Sequence, residues 1–134
     1  MPRCREALEA RIASATTFAA WAAARRSGGP CILLHAASAG ELRQAEPLIR
    51  RFRTSHPEWH LAVTYTSRSA VAVATDLPLD VHGFLPWDTP TSTSALLEAL
   101  RPALMVVSKL DLWPELAHQA VRRGVPVVLV GAMV

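Results

Sequence analysis

Two short stretches of this chain bring reactive side-chain types together. In Ser38-Ala39-Gly40-Glu41 a carboxylate opens a helix-patterned segment, where free backbone N–H groups and the helix dipole favour its ionised form. Such a group can serve as a charged functional group, or it can complement the dipole and reach back as a cap. In Val106-Val107-Ser108-Lys109-Leu110-Asp111-Leu112-Trp113-Pro114 a cation, a carboxylate and an indole lie together. There the functional reading competes on level terms with an ordinary one, in which Asp111 caps a helix, Pro114 enters its first turn and Trp113 packs. A third stretch, Phe84-Leu85-Pro86-Trp87-Asp88-Thr89-Pro90, is a Pro-framed turn that suits either a sugar or lipid contact at Trp87 or a rigid connection.

Other chemistries lack their signatures. Neither Gly-x-Gly-x-x-Gly nor a Gly-Lys-Ser/Thr phosphate loop is present, so no nucleotide cofactor is implied. There is no Gly-x-Ser-x-Gly elbow, and Cys4 and Cys31 stand in unrelated contexts, which disfavours hydrolase chemistry, a disulfide framework and a zinc site. His35 falls inside a strand pattern and His60 opens another, so both read as structural. His56, His82 and His118 show no ligand spacing, and no metal site is claimed.

The elements that must position these residues follow from periodicity. Leu8, Ile12, Ala15, Ala19 and Ala22 recur at helical spacing, with Phe18 and Trp21 adding bulk, and the helix ends at Ser27-Gly28-Gly29-Pro30. This first segment, 1–29, is expected either to pack on the domain or to lie on a membrane surface as a peripheral contact. Beyond it, strands at Cys31–Ala37, His60–Thr66, Val81–Leu85, Ala103–Ser108 and Val125–Val130 alternate with helices at Glu41–Ser55, Arg68–Thr75, Thr91–Leu100 and Leu112–Arg123. Ser92 or Thr93 is available as a cap for the third of these helices, and Gly124 is a natural stop for the fourth. Continuous apolar strands alternating with helices predict an α/β, Rossmann-like parallel sheet of about five strands, helices on both faces, over residues 30–134. In such sheets ligands bind beyond the carboxyl ends of the strands, where both reactive stretches fall.

Composition agrees with a single folded unit. A chain of 134 residues that is 51% hydrophobic and 19% charged can bury one core and is not intrinsically disordered. Its formal net charge of +3 is too mild to argue for nucleic acid. Lys109 is the only lysine among the cations, an Arg bias that needs no functional cause. The longest uncharged apolar-leaning run, Ile12–Ala24, is well short of the roughly 20 residues that span a bilayer, and cysteine usage fits a reducing, cytoplasmic setting.

Taken in order, His35-Ala-Ala-Ser-Ala-Gly-Glu41, Ala45-Glu46-Pro47-Leu48-Ile49-Arg50, Val63-Thr64-Tyr65-Thr66, Phe84 to Pro90, Leu112-Trp113-Pro114-Glu115-Leu116 and Pro126 to Val130 carry a resemblance. The set, spread from Pro30 to Val134, resembles the N-terminal domain of 3-deoxy-D-manno-octulosonic acid (Kdo) transferases. The resemblance implies a two-domain GT-B glycosyltransferase that moves Kdo from CMP-Kdo to a lipid A precursor at the cytoplasmic face of the inner membrane, this half handling the acceptor. It implies that Glu41 is the general base on the acceptor hydroxyl. Ser38, Gly40, Thr66, Ser67, Arg68, Lys109, Asp111 and Trp113 are then expected to bind the acceptor, while CMP-Kdo is held by a second domain that this stretch lacks. Where the family reads Glu-Thr-Glu-Leu-Trp-Pro, this chain reads Lys109-Leu110-Asp111-Leu112-Trp113-Pro114, and Arg68 replaces part of an uncharged loop. Both changes add positive charge, as an acidic or phosphate-bearing acceptor requires. The expectation is therefore a fragment of a divergent transferase, inactive alone, with a non-catalytic Rossmann-like binding module for an anion or a protein as the alternative.

Overall fold

Five short apolar strands stack in parallel in the order β3-β2-β1-β4-β5. The computed structural model describes residues 2–25, 28–108 and 113–131. The elements run α1 Pro2–Arg25, β1 Cys31–His35, α2 Ala39–Ser55, β2 His60–Tyr65, α3 Ala70–Thr75, β3 Val81–Phe84, α4 Pro90–Leu100, β4 Leu104–Ser108, α5 Pro114–Arg122 and β5 Val127–Val130. Side-chain alternation divides each strand between two cores. Cys31 and Leu33 of β1 face Phe18, Trp21, Leu97, Leu100, Leu116 and Ala120, so α1, α4 and α5 cover one face. Ile32 and Leu34 face Leu42, Ala45, Ile49, Ala70 and Ala74, so α2 and α3 cover the other. The α/β Rossmann-like expectation is met, and both faces of the inner strands are dry.

Element ends shift by one or two residues for local reasons. The first strand stops at His35 rather than Ala37, and the helix after it begins at Ala39 rather than Glu41, because Ser38 is already extended and its carbonyl accepts from Leu42 N–H at 3.0 Å. Neither Ser92 nor Thr93 caps α4. Thr89 does, accepting from Ser92 N–H at 3.2 Å, with Pro90 in the first turn. The last helix begins at Pro114, not Leu112, which lies outside the described residues. It ends with Gly124 at φ +71, and Val125 is drawn out of β5 when its N–H donates to Ala120 O.

The first helix corrects a larger expectation. Its buried stripe is Ser14, Phe18 and Trp21, whereas Leu8 and Ile12 of the expected apolar face are exposed. Bulk decides the rotation, because two aromatics bury far more area than a row of alanines. Ser14 accepts from Phe84 N–H at 2.8 Å, and Gly83 makes room. A Cβ at residue 83 would stand 2.9 Å from Ser14 Cβ and Oγ and 3.1 Å from Phe18 Cε2. Of the two expected positions for α1, packing on the domain is therefore occupied.

Next to this contact His82 on β3 meets Tyr65 Oη at 2.9 Å through Nδ1. Burial lowers the His82 pKa from its ordinary 6.5 and raises that of Tyr65. With the folded pKa below the unfolded one, the unfolded chain binds the proton more readily. Stability from this group is complete above about pH 6.5 and declines as pH falls toward the folded pKa. Melting temperature is therefore expected to drop between pH 7 and pH 5, and His82→Gln, which keeps a partner for Tyr65, should make the drop shallower. An unchanged slope in that variant would assign the dependence elsewhere.

Candidate functional site

Beyond the carboxyl ends of β1 and β2 the chain knots itself around one residue, Ala37. Its N–H donates to Glu41 Oε2 at 2.7 Å. Its carbonyl accepts from Thr66 N–H at 3.1 Å, from Ser67 N–H at 2.9 Å and from the Thr66 hydroxyl at 3.1 Å. Ser69 lends its hydroxyl to Ala39 N–H at 3.3 Å and meets the Ser67 hydroxyl at 2.9 Å. The loops after β1 and β2 thus form one polar unit, and the first turn of α2 is capped from the neighbouring loop. Ser38 itself makes no side-chain cap.

Glu41 occupies the first turn of α2 and is half-buried. One carboxylate oxygen reaches back along the chain, as a capping group would. The other has no hydrogen-bond partner among the described residues. A carboxylate pinned through one oxygen at a helix N-terminus, with the second free, is held in place and able to accept a proton. One atom caps the turn and the other is left open.

The expected site residues separate into groups. Ser38, Thr66, Ser67 and Glu41 are brought together through Ala37. Gly40 is exposed in the same turn, and a Cβ there would meet nothing within 4 Å, so sterics alone do not require glycine. Arg68 is exposed and pairs with Glu6 of α1 at 3.6 Å. Lys109 and Asp111 lie outside the described residues. Trp113 is half-buried against the core beneath α4 and α5, and its indole N–H donates to His35 Nε2 at 3.3 Å.

His35 is fully buried, and its other nitrogen lies 3.0 Å from Thr64 Oγ1. An indole N–H can only donate, so Nε2 is the acceptor and the neutral ring carries its proton on Nδ1, toward Thr64. The structural reading of this histidine holds, with a consequence for the site. It ties the chain emerging from the β4–α5 connection to β1 and β2. A second tie escaped sequence reading altogether. Asp88 accepts from Glu115 N–H at 3.0 Å and Leu116 N–H at 2.9 Å, capping α5 from the turn before α4. Nothing local marks it, because cap and helix are separated by the whole α4–β4 unit.

Arg11 makes a third tie that sequence reading did not reveal. Its Nη1 donates to Leu85 O at 2.6 Å, and its guanidinium carbon stands 4.4 Å from the centre of the Trp87 ring. Burial lowers its pKa from the ordinary guanidinium value. A cavity of about 330 Å³ lies beside it, bordered by Thr66, Arg68, Phe84 and the start of α1. The larger hollow, about 770 Å³ between α1 and α4, includes Gly29 and Arg101, which precede β1 and β4. It therefore sits at the opposite end of the sheet from Glu41 and is not the site.

A doubly covered parallel sheet with its polar loops gathered beyond the carboxyl ends of β1 and β2 defines an α/β domain of the class that binds and positions a ligand at one sheet edge. The profile of the family described as 3-deoxy-D-manno-octulosonic-acid transferase (kdotransferase) matches residues 7–134, and the chain belongs to that family, as its N-terminal domain. Relatives named 3-deoxy-D-manno-octulosonic acid transferase include one from Haemophilus influenzae, 36% identical over 105 residues that cover 75% of this chain and 24% of the relative. Another, from Chlamydophila psittaci, is 35% identical over 105 residues covering 76% and 24%. A third, from Rickettsia felis, is 34% identical over 94 residues covering 69% and 20%. The chain spans between a fifth and a quarter of the length of these relatives.

Proposed function

We propose that this domain is the acceptor-side half of a glycosyltransferase that moves Kdo from CMP-Kdo to a lipid A precursor or a related anionic acceptor at the cytoplasmic face of the inner membrane. The names of the relatives support the sugar. The observation that carries the chemistry is the Glu41 carboxylate, fixed through one oxygen by Ala37 N–H and open at the other. In the proposed reaction the open oxygen takes the proton as the acceptor hydroxyl attacks the anomeric carbon of Kdo, and CMP departs with the bonding electron pair. No helix among the described residues is long and apolar enough to cross a membrane. A peripheral contact is instead supported by the exposed Leu8, Ile12 and Trp87.

The division of labour is tested by calorimetry on the 134-residue chain. We expect no saturable heat with CMP or CMP-Kdo, because the donor is assigned to another domain. A micromolar isotherm would place donor binding here and overturn the acceptor-side reading.

A further inference from the structure

We infer that Arg11 of α1 and Arg68 of the β2–α3 loop form a binding subsite for a phosphate group, in the cavity bordered by Thr66 and Phe84. The first observation is an uncompensated charge. Arg11 is partly buried, and no carboxylate pairs with it among the described residues; a backbone carbonyl and an indole face are its contacts. Holding a guanidinium out of water without a counter-ion is unfavourable, and an anion in the adjoining cavity relieves it. The second observation is convergence. Arg68 comes from a different element and borders the same cavity, and among the described residues its guanidinium is engaged only by an exposed 3.6 Å pair with Glu6, a contact worth little and easily exchanged. Two guanidiniums against one carboxylate leave a net positive lining, and a phosphate dianion can bridge two such forks where a single carboxylate cannot.

Size and position give the ligand class. A volume of about 330 Å³ accommodates a phosphate together with a sugar-sized or glycerol-sized substituent. Thr66, which borders the cavity, donates its hydroxyl to Ala37 O, and Ala37 N–H holds Glu41. The cavity thus borders the same loop unit that holds Glu41, and a phosphate seated between the arginines is assigned to the acceptor. That last step rests on the proposed function, whereas phosphate binding itself does not.

The test is phosphate titration of the 134-residue chain followed by amide chemical shifts, at constant ionic strength against chloride. Inorganic phosphate is expected to shift the amides of Arg11, Thr66, Arg68 and Phe84 saturably in the millimolar range. Arg68→Gln should weaken binding about tenfold. Glu6→Gln, which removes the competing carboxylate, should tighten it about threefold. Arg11→Gln should match Arg68→Gln. Because Arg11 also holds Leu85 O, the exposed Arg68 keeps the result readable if that variant is poorly folded. Glucose 1-phosphate and a short-chain phosphatidic acid, titrated in parallel, identify by the tighter of the two whether a sugar phosphate or a lipid headgroup is the source. Shifts no larger than with chloride, shifts that map elsewhere, or wild-type affinity in Arg68→Gln would overturn the subsite. Such a result would leave the Glu41 assignment standing, since no transfer is measured. Conversely, loss of the Glu41 role would not alter the phosphate isotherm.

Discussion

Replacing Glu41 by Gln is expected to lower Kdo transfer by roughly 100- to 10,000-fold, measured in a form of the protein that joins this domain to its donor half. The variant is informative because of how the carboxylate is held. Gln is isosteric, and its amide carbonyl can still accept from Ala37 N–H, so the turn between β1 and α2 keeps its geometry. What changes is the second oxygen, which becomes an NH2 group with no lone pair to take a proton. Turnover should fall while the melting temperature barely moves. A residue that only complements the helix dipole behaves in the opposite way, losing about 0.3–1 kcal/mol of stability and leaving turnover intact. Asp111→Asn is the matched comparison and is expected to cost less. Wild-type turnover in Glu41→Gln, with circular dichroism confirming the fold, would remove the base and leave an acceptor-binding scaffold.

Sequence pattern revealed the fold wherever a residue's fate depends on its neighbours in the chain. The strands are continuous apolar runs because both faces of a parallel sheet are dry, and Glu41 is visible as a helix-opening carboxylate because caps are local. Thr89 escaped because Ser92 and Thr93 offered equally good local chemistry. What decides between them is Pro90, which is pre-shaped for the first helical turn and leaves Thr89 just before it. Long-range ties left no local trace. Asp88 caps a helix that begins after α4 and β4 have intervened, His35 receives its hydrogen bond from Trp113 across the sheet, and Arg11 meets Leu85 between α1 and the end of β3. The unusual sequence at Lys109 and Asp111, obvious as a departure from the family pattern, falls outside the described residues, so its contribution to the site stays with the proposal.

Phe18→Ala should bring the domain close to unfolding, and this outcome separates an integral α1 from a detachable one. Phe18 is 1% exposed and sits in the core formed by α1, β3 and α4, with its ring against the space that Gly83 leaves open. Truncating a buried phenylalanine costs about 3–5 kcal/mol through lost transfer energy and the cavity left behind. Against a total of about 5–15 kcal/mol for an ordinary domain, that is a large part of the whole. Ile12→Ala, at a residue 58% exposed on another side of the same helix, should change stability by no more than about 0.5 kcal/mol. The pair is read by chemical denaturation, following far-ultraviolet circular dichroism for the whole fold and the indole N–H proton resonance of the buried Trp21 for the helix. If α1 is part of the domain, both probes shift together in Phe18→Ala and neither shifts in Ile12→Ala. If α1 were a separate helix resting on a membrane, Phe18→Ala would leave the circular dichroism transition of the sheet where it was. In that case Phe18 would count with Leu8 and Ile12 as a lipid contact, and Ser14 would no longer be the group that satisfies Phe84 N–H.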